Sequence, residues 1–286
     1  MKYIDTTLAF FSDIHGGSPV GIMRPMEWQL QSVTVTPNSL QKLIWAQYED
    51  ACMNIGIARK NKRLVSVFVG DATEGLHHQN KQIISQNVKD HESIAQDAID
   101  IGLRLMKFEK ESDDRFYMVA GTVSHVGESE EQIAEDLSPV PFMPAPNGKV
   151  TRWCWPALSI KINGVYGLIA HHGPDPGKGA NEGNALRNMV RDVVVGRVLR
   201  GLEPPRFVIY GHKHTKQHIQ FEHSNYVCDG FILPSFQGKT DYVYAINPFA
   251  INDIGMLQLN VSNVGELSWE WLCVNLTEHQ EHVESL

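Results

Sequence analysis

Residues 7–17 read TLAFFSDIHGG, a short apolar run followed directly by a polar loop. The run from Thr7 to Ser12 predicts a buried strand, and the loop after it holds Asp13, His15 and two glycines. In open α/β sheets, binding sites lie outside the carboxyl ends of the strands. This stretch therefore predicts a strand whose end carries ligand-type side chains.

The same pattern of an apolar run and a polar loop recurs further along the chain. The sequence between the runs predicts helices that begin near Pro37-Asn38-Ser39 and span about 85–110 and 182–199. The four further runs and their loops are residues 64–69 before Gly70-Asp71, residues 115–120 before Gly121-Thr122, residues 165–170 before His171-His172, and residues 207–210 before Gly211-His212-Lys213-His214. This order predicts an α/β fold with its chemistry at the strand ends.

The remaining segments predict hairpins and connecting loops. Asn163-Gly164 lies between two apolar runs, which is a strong hairpin signal, and residues 256–261 and 267–274 predict a final hairpin. The segments 16–36, 126–157 and 173–186 join strand ends that carry candidate site residues, so we expect them to be pocket or lid loops. We expect residues 1–286 to form a single domain.

Composition narrows the class of protein. The net charge is −8, which argues against indiscriminate binding to polyanions. It leaves a phosphate substrate open, because bound divalent cations would reverse the local charge. The four cysteines form no Cys-x-x-Cys pair. There is neither a signal-type N-terminus nor an apolar run of about 20 residues, so we expect a cytoplasmic protein without a membrane segment.

The residue types at the strand ends are those that hold metals. Divalent cations of hard or borderline character bind carboxylate oxygen and imidazole nitrogen. An Asp-x-His turn, a second aspartate and a His-x-His turn are each weak signals alone. Together and in this order they are hard to explain by the demands of a core or a surface. The sequence therefore predicts a metal site.

This ordered set resembles the signature of the calcineurin-like metallophosphoesterases. That signature runs Asp-x-His, Gly-Asp, Gly-Asn-His, a histidine near glycine, and Gly-His-x-His. The resemblance covers about residues 7–215. It implies a four-layer α-β-β-α sandwich with the metal site at the strand ends, and two divalent metal ions. We expect Mn²⁺, with Fe, Zn and Ni also compatible with such ligands.

The resemblance also implies a role for each residue. Asp13, His15 and His214 would hold one metal, and Asp71 would bridge both. His212 and one of the pair His171 and His172 would hold the second metal, because alternation along a strand allows only one of the pair to point into the site. A metal-bridging hydroxide would then attack the phosphorus atom.

One position departs from the signature. In place of Gly-Asn-His the chain has Gly121-Thr122 followed by His125, a variant similar to phage-type members of the family. Thr122 would be a poorer neutral ligand than asparagine. His125 would be a metal ligand or a general acid, or else an ordinary histidine near the surface.

Other polar residues leave two interpretations open. His77 and His78 would line the pocket rim or be solvated, and Glu74 would orient a histidine or cap the next element. His91 and His218 are interpreted as surface residues.

The expected function is phosphoester hydrolysis, by a phosphodiesterase rather than a phosphomonoesterase, on a substrate class that includes nucleotides and nucleic acid. The alternative is a binding or scaffold module that lost the chemistry. The sequence does not indicate an oligomeric state.

Overall fold

The computed structural model describes residues 4–31, 33–76, 83–138, 143–144, 150–246 and 251–276. Besides a 3-10 helix (Gly179–Asn181), the described residues form helices and strands. In chain order the helices and strands are β1 (Thr6–Phe11), β2 (Trp28–Gln29), β3 (Thr34–Val35), α1 (Ser39–Ala58), β4 (Arg63–Val69), α2 (Val88–Leu105), β5 (Arg115–Val119), α3 (Val123–Val126), α4 (Ser129–Leu137), β6 (Met143–Pro144), β7 (Val150–Arg152), β8 (Leu158–Ile162), β9 (Val165–Ala170), α5 (Asn184–Val198), β10 (Phe207–Tyr210), β11 (Gln217–His223), β12 (Tyr226–Ile232), α6 (Asp241–Ile246), β13 (Asp253–Val261) and β14 (Leu267–Asn275).

Most of the strands belong to two five-stranded sheets. The first has the order β14-β13-β1-β4-β5, and its strands β1, β4 and β5 are parallel. The second has the order β11-β12-β10-β9-β8, and its strands β9, β10 and β12 are parallel. Parallel strands end at the same edge of their sheet. The loops after β1, β4 and β5 therefore share one edge, and the loops after β9 and β10 share another.

The two sheets pack face to face around an apolar core. Side chains alternate across each strand, so Phe10 of β1 points between the sheets while Phe11 points to the other side. Phe10 meets Phe207 of β10 edge to face, with ring centroids 6.1 Å apart. Burying a side chain of this size contributes about 1.5–3 kcal/mol.

Helices cover the outer face of each sheet. Phe11 lies in a second apolar cluster with Tyr48 of α1, and this cluster also takes in residues of α2 and α4. On the far side, Val190 of α5 packs with Val208 of β10. The order of layers is thus helices, sheet, sheet, helix. The predicted α/β fold with four α-β-β-α layers is confirmed.

The structure corrects some predicted boundaries. Helix α2 is shorter than the predicted 85–110, and α5 is shorter than the predicted 182–199. The predicted loop 126–157 contains α4, whose Ile133 and Ala134 are buried. Its sequence, SEEQIAEDL, has too few apolar residues to predict a helix. The helix forms because its short apolar face packs against the rest of the protein. Within the described part of the chain, no helix is both long and apolar enough to span a bilayer.

Candidate metal centre

The predicted ligands lie in loops that follow β1, β4, β5, β9 and β10, and these loops meet where the two sheets adjoin. The backbone N–H of His212 donates a hydrogen bond to Asp13 Oδ2 at 3.0 Å. His171 Nδ1 lies 2.7 Å from the Val69 carbonyl oxygen at the end of β4. Each contact joins a loop of the second sheet to the first sheet. The two sheet edges thus form one cluster of polar side chains.

The backbone is strained at this cluster. Nine described non-glycine residues have positive φ, and five of them are predicted ligands. These five are Asp13 (52°), His15 (45°), Asp71 (57°), His212 (70°) and His214 (49°). The left-handed conformation costs such residues free energy and tends to persist where function requires it. The concentration of strain at the predicted ligands supports a functional role for the cluster.

Glycines before the ligands allow the loops to approach one another. A Cβ atom on Gly121 would lie 2.2 Å from the Asp71 backbone nitrogen, and one on Gly211 would lie 2.7 Å from the Val69 carbonyl oxygen. Both distances are shorter than a van der Waals contact, so any larger residue would force the loops apart. This explains why glycine precedes both Thr122 and His212.

One group of donors comprises Asp13, His15 and His214. The Nε2 atoms of the two histidines lie 3.3 Å apart. Asp13 Oδ1 lies 3.3 Å from His214 Nε2. Asp13 and His15 are buried, whereas the side chain of His214 is 27 % exposed. The three predicted ligands of one metal are therefore together, with one side of the group open to solvent.

A second group surrounds Asp71 Oδ2. His171 Nε2 lies 3.2 Å from this oxygen and His212 Nδ1 lies 3.8 Å from it. The hydroxyl of Thr122 is in the middle of the group, 3.2 Å from Asp71 Oδ2 and 3.3 Å from each of those two histidine nitrogens. The hydroxyl of Thr122 thus lies within 3.3 Å of donor atoms of three predicted ligands.

The donor separations fit a metal. Atoms that bind one cation at about 2.1 Å lie about 3.0–3.4 Å from their neighbours in tetrahedral or octahedral arrangements. Most distances in both groups fall in this range. Asp13 Oδ1 is buried and has no hydrogen-bond partner among the described residues, although such oxygens are normally satisfied. Asp13 belongs to two of the sets of donors that could hold an ion, one with His15 and His214 and one with Asp71, His171 and His212. The chemistry and spacing of the residues present therefore fit divalent metal ions.

The two consecutive histidines have different environments. His171 is 1 % exposed, and because Val69 engages its Nδ1, its Nε2 faces Asp71. His172 is exposed, yet its ring centroid lies only 4.7 Å from that of His212. Both histidines could contribute to a donor set with His212, so which of the pair is the ligand stays a prediction. Both residues follow the last residue of β9, where strand alternation no longer applies.

Carboxylates shift the pKa values of the buried histidines upwards. Burial alone would lower the pKa of His15, but a hydrogen bond to Glu74 and nearby carboxylates raise it to about 9. Burial would also lower the pKa of His171, but the hydrogen bond to Asp71 and the charges of Asp13 and Asp71 outweigh burial and raise this pKa to about 9. In return, these imidazoles hold the pKa of Asp71 well below its usual range despite its burial. Positive charge is therefore favourable here, and a divalent cation would displace these protons.

Glu74 and His125 adjoin the first group. His15 Nδ1 lies 2.9 Å from Glu74 Oε2, which also accepts a hydrogen bond from Gln237 Nε2 at 2.9 Å. Of the two interpretations of Glu74, the structure places it as the residue that orients His15. His125 lies with its ring centroid 5.2 Å from that of His15, and its Nδ1 is 3.3 Å from the Glu74 carbonyl oxygen. No sequence motif marked Gln237.

Two further histidine predictions have clear outcomes. His91 is fully buried rather than on the surface, with Nε2 2.8 Å from the Ser85 carbonyl oxygen. It packs under the first ligand loop, since a Cβ on Gly17 would lie 2.3 Å from its ring. His218 is partly exposed and lies 2.8 Å from Asp229 Oδ1. His77 and His78 lie outside the described residues.

Comparison with known proteins gives structural likenesses alone. No protein-family model matches the chain, and no curated protein matches it. The NAD nucleotidase NadN of Haemophilus influenzae is 12 % identical, with a TM-score of 0.43 over 94 % of this chain and 50 % of that chain. A predicted phosphoesterase of Streptococcus pneumoniae is 9 % identical, with a TM-score of 0.35 over 94 % of this chain and 90 % of that chain.

The 5'-nucleotidase of Candida albicans is 10 % identical, with a TM-score of 0.37 over 95 % of this chain and 52 % of that chain. This chain thus spans about half the length of the two nucleotidases. With TM-scores below 0.5, these likenesses carry no argument about what the chain does.

Proposed function

We propose that the chain is a metal-dependent phosphoester hydrolase of the calcineurin-like type, acting on phosphodiesters in preference to phosphomonoesters. The observation that carries this proposal is the pair of adjacent donor groups that share Asp13, with separations suited to two cations. Two neighbouring cations clamp a phosphoryl group and stabilise the charge that develops on its oxygens. A scaffold would have no need for so many buried ligand-type side chains on a strained backbone.

In this proposal each donor group holds one cation. Asp13, His15 and His214 hold the first. The second is held by four residues, namely Asp71, Thr122, His171 and His212. The mixed oxygen and nitrogen donors suit Mn²⁺, which we favour, as well as Fe, Zn and Ni.

The residues around the cations complete the site. Glu74 fixes the ring orientation of His15 through Nδ1, as carboxylates commonly do for ligating histidines. His172, exposed beside His212, contacts the substrate. His125 acts as the general acid that protonates the leaving oxygen. Geometry supports that role, because His125 and Gly121 both line a cavity of about 950 Å³ next to the cluster.

The cavity gives the organic part of the substrate a place to bind. The 126–157 segment supplies part of its wall, including Val126 and Trp153. Val123, at the rim, is 81 % exposed and offers an apolar contact beside the polar cluster. A phosphodiester between two nucleotides, or a short nucleic acid, carries planar bases that are joined to the phosphate through a sugar, and such bases suit this wall.

The first prediction tests the activity itself. The purified protein is expected to bind two equivalents of divalent metal and to hydrolyse bis-p-nitrophenyl phosphate faster than p-nitrophenyl phosphate when Mn²⁺ is added. Metal content is measured by elemental analysis, and turnover is measured before and after chelation. Absence of both metal and turnover would contradict the enzyme and favour the scaffold alternative, whereas faster hydrolysis of the monoester would contradict only the diester preference.

A second prediction concerns Thr122, the one feature that favours the scaffold alternative. Thr122→Val keeps the shape of the side chain but removes the oxygen that lies 3.2–3.3 Å from three other donors. We expect the second equivalent of Mn²⁺ to bind about 10–100-fold more weakly, as for other supporting contacts to a metal site. Titration calorimetry measures this affinity, with Thr122→Ser as the control that retains the hydroxyl. Equal affinity in the valine variant and the wild type would remove Thr122 from the ligand set.

A further inference from the structure

Glu130 is a buried carboxylate that contacts the loops of the candidate metal centre. It lies in the first turn of α4 and is 2 % exposed. Its Oε1 accepts a hydrogen bond from the Ala72 backbone N–H at 2.9 Å. Its Oε2 accepts one from the Gly121 backbone N–H at 2.7 Å. A single side chain thus joins the loop after β4 to the loop after β5.

These two backbone groups adjoin the second donor group. Ala72 follows Asp71, and Gly121 precedes Thr122. The loops are also joined directly, because the Thr122 backbone N–H donates to Asp71 Oδ1 at 2.6 Å. Glu130 therefore fixes the separation of the backbone segments that carry two of the donors, Asp71 and Thr122.

The charge of Glu130 is costly in this position. Two N–H donors partly satisfy a buried carboxylate, but no salt bridge to Glu130 is found among the described residues. Burial and the nearby charge of Asp71 raise the pKa of Glu130 to about 7. Joining two loops would not by itself require a negative charge beside another negative charge. A cation held by Asp71 would compensate both.

We propose that Glu130 is a positioning residue for the second cation. Glu130 sets the spacing of Asp71 and Thr122 and adds negative charge next to them. The inference rests on the proposed metal centre. It assigns Glu130 no contact with substrate. It explains why a glutamate lies buried in a short helix whose other acidic residues are mostly exposed or partly exposed.

The neighbouring residue provides a matched control. Glu131 lies in the same turn, and its Oε2 accepts hydrogen bonds from the backbone N–H groups of Trp153 and Cys154 at 2.7 and 3.2 Å. It therefore makes the same kind of contact with two amides, but those amides do not adjoin a predicted ligand. Either substitution should reduce the order of the loop that it contacts, whereas only the substitution at Glu130 should reduce the affinity for the metal.

The experiment compares Glu130→Gln and Glu131→Gln in the full chain, stripped with a chelator and titrated with Mn²⁺ by calorimetry. We expect Glu130→Gln to bind the second equivalent about 10–100-fold more weakly. We expect Glu131→Gln to match the wild type. The rise in the unfolding midpoint on adding Mn²⁺ should shrink in the same variant only, because a ligand stabilises the fold in proportion to its binding.

Two results would overturn the inference. One is an unchanged second affinity in Glu130→Gln, and the other is an equal loss in both variants. If Glu130→Gln does not fold, Glu130→Asp is titrated under the same criteria, because it keeps the charge but is too short to reach both amides. The titration of the wild type separates the two proposals. Binding of no metal there contradicts the proposed function, whereas two equivalents bound with the same affinities in every protein contradict only the role of Glu130.

Discussion

Asp71→Asn is expected to lower turnover of bis-p-nitrophenyl phosphate by at least about 10³-fold while the protein stays folded. The carboxylate of Asp71 faces His171, His212 and the hydroxyl of Thr122, so it is the anionic member of the second donor group. An amide of the same shape carries no charge and binds cations weakly. Loss of one catalytic cation removes several kcal/mol of charge stabilisation in the transition state, and each 1.36 kcal/mol is a tenfold change in rate.

The matched control for this variant is Asp229→Asn. Asp229 is also buried and also paired with a histidine, since its Oδ1 lies 2.8 Å from His218 Nε2, but it belongs to the second sheet away from the cluster. Turnover should survive there. Thermal unfolding checks the fold of both variants. Retained turnover in Asp71→Asn would contradict the role of Asp71.

The metal content of the same variant tests the predicted bridging role. If Asp71 binds both cations, Asp71→Asn should lose affinity for both equivalents of Mn²⁺. If it serves only the second donor group, the first equivalent should bind as in the wild type. In that case Asp13, which belongs to both groups, would be the bridging carboxylate.

His171→Ala is expected to weaken the second equivalent of Mn²⁺ by more than about 100-fold, and His172→Ala is expected to leave it nearly unchanged. The reason is that the buried Nε2 of His171 faces Asp71 at 3.2 Å, whereas His172 is exposed. Removing a ligand should cost at least as much as removing the contacts that orient one, which cost about 10–100-fold.

The two variants are compared by calorimetric titration and by steady-state kinetics. His171→Ala should reduce kcat. His172→Ala should raise KM with kcat little changed, because a residue that binds substrate equally in its ground and transition states contributes mainly to KM. The reverse pattern of metal affinities would exchange the roles of the two histidines. Equal effects on the second metal would make both of them ligands.

The strand ends and the residue types on them could be read from the sequence. The runs before Asp13, Asp71, Thr122, His171 and His212 became β1, β4, β5, β9 and β10, with bounds within one residue of those predicted. Such runs are most visible in β1, β4 and β10, because these strands are buried on both faces and are therefore mostly apolar. The motif order then predicted which side chains would meet.

Other features of the site could be established only from the folded chain. In the sequence, Thr122 was only a departure from the signature. In the structure, the hydroxyl of Thr122 lies among three donor atoms. Strand alternation predicted that only one of His171 and His172 points into the site, but both residues follow the end of β9, where that rule gives no answer. In both cases the outcome depends on loop conformation, which short-range patterns do not specify.

The supporting residues were the least visible in the sequence. Glu130 and Gln237 are polar residues in unremarkable surroundings, and His91 read as a surface residue, yet all three are buried. The sequence determined the layers and the ligand types, because periodicity and motif spacing are local properties of the chain. Only the tertiary structure decided which polar side chains are enclosed and what they hold in place, because burial and hydrogen bonding at this edge depend on contacts between residues far apart in sequence.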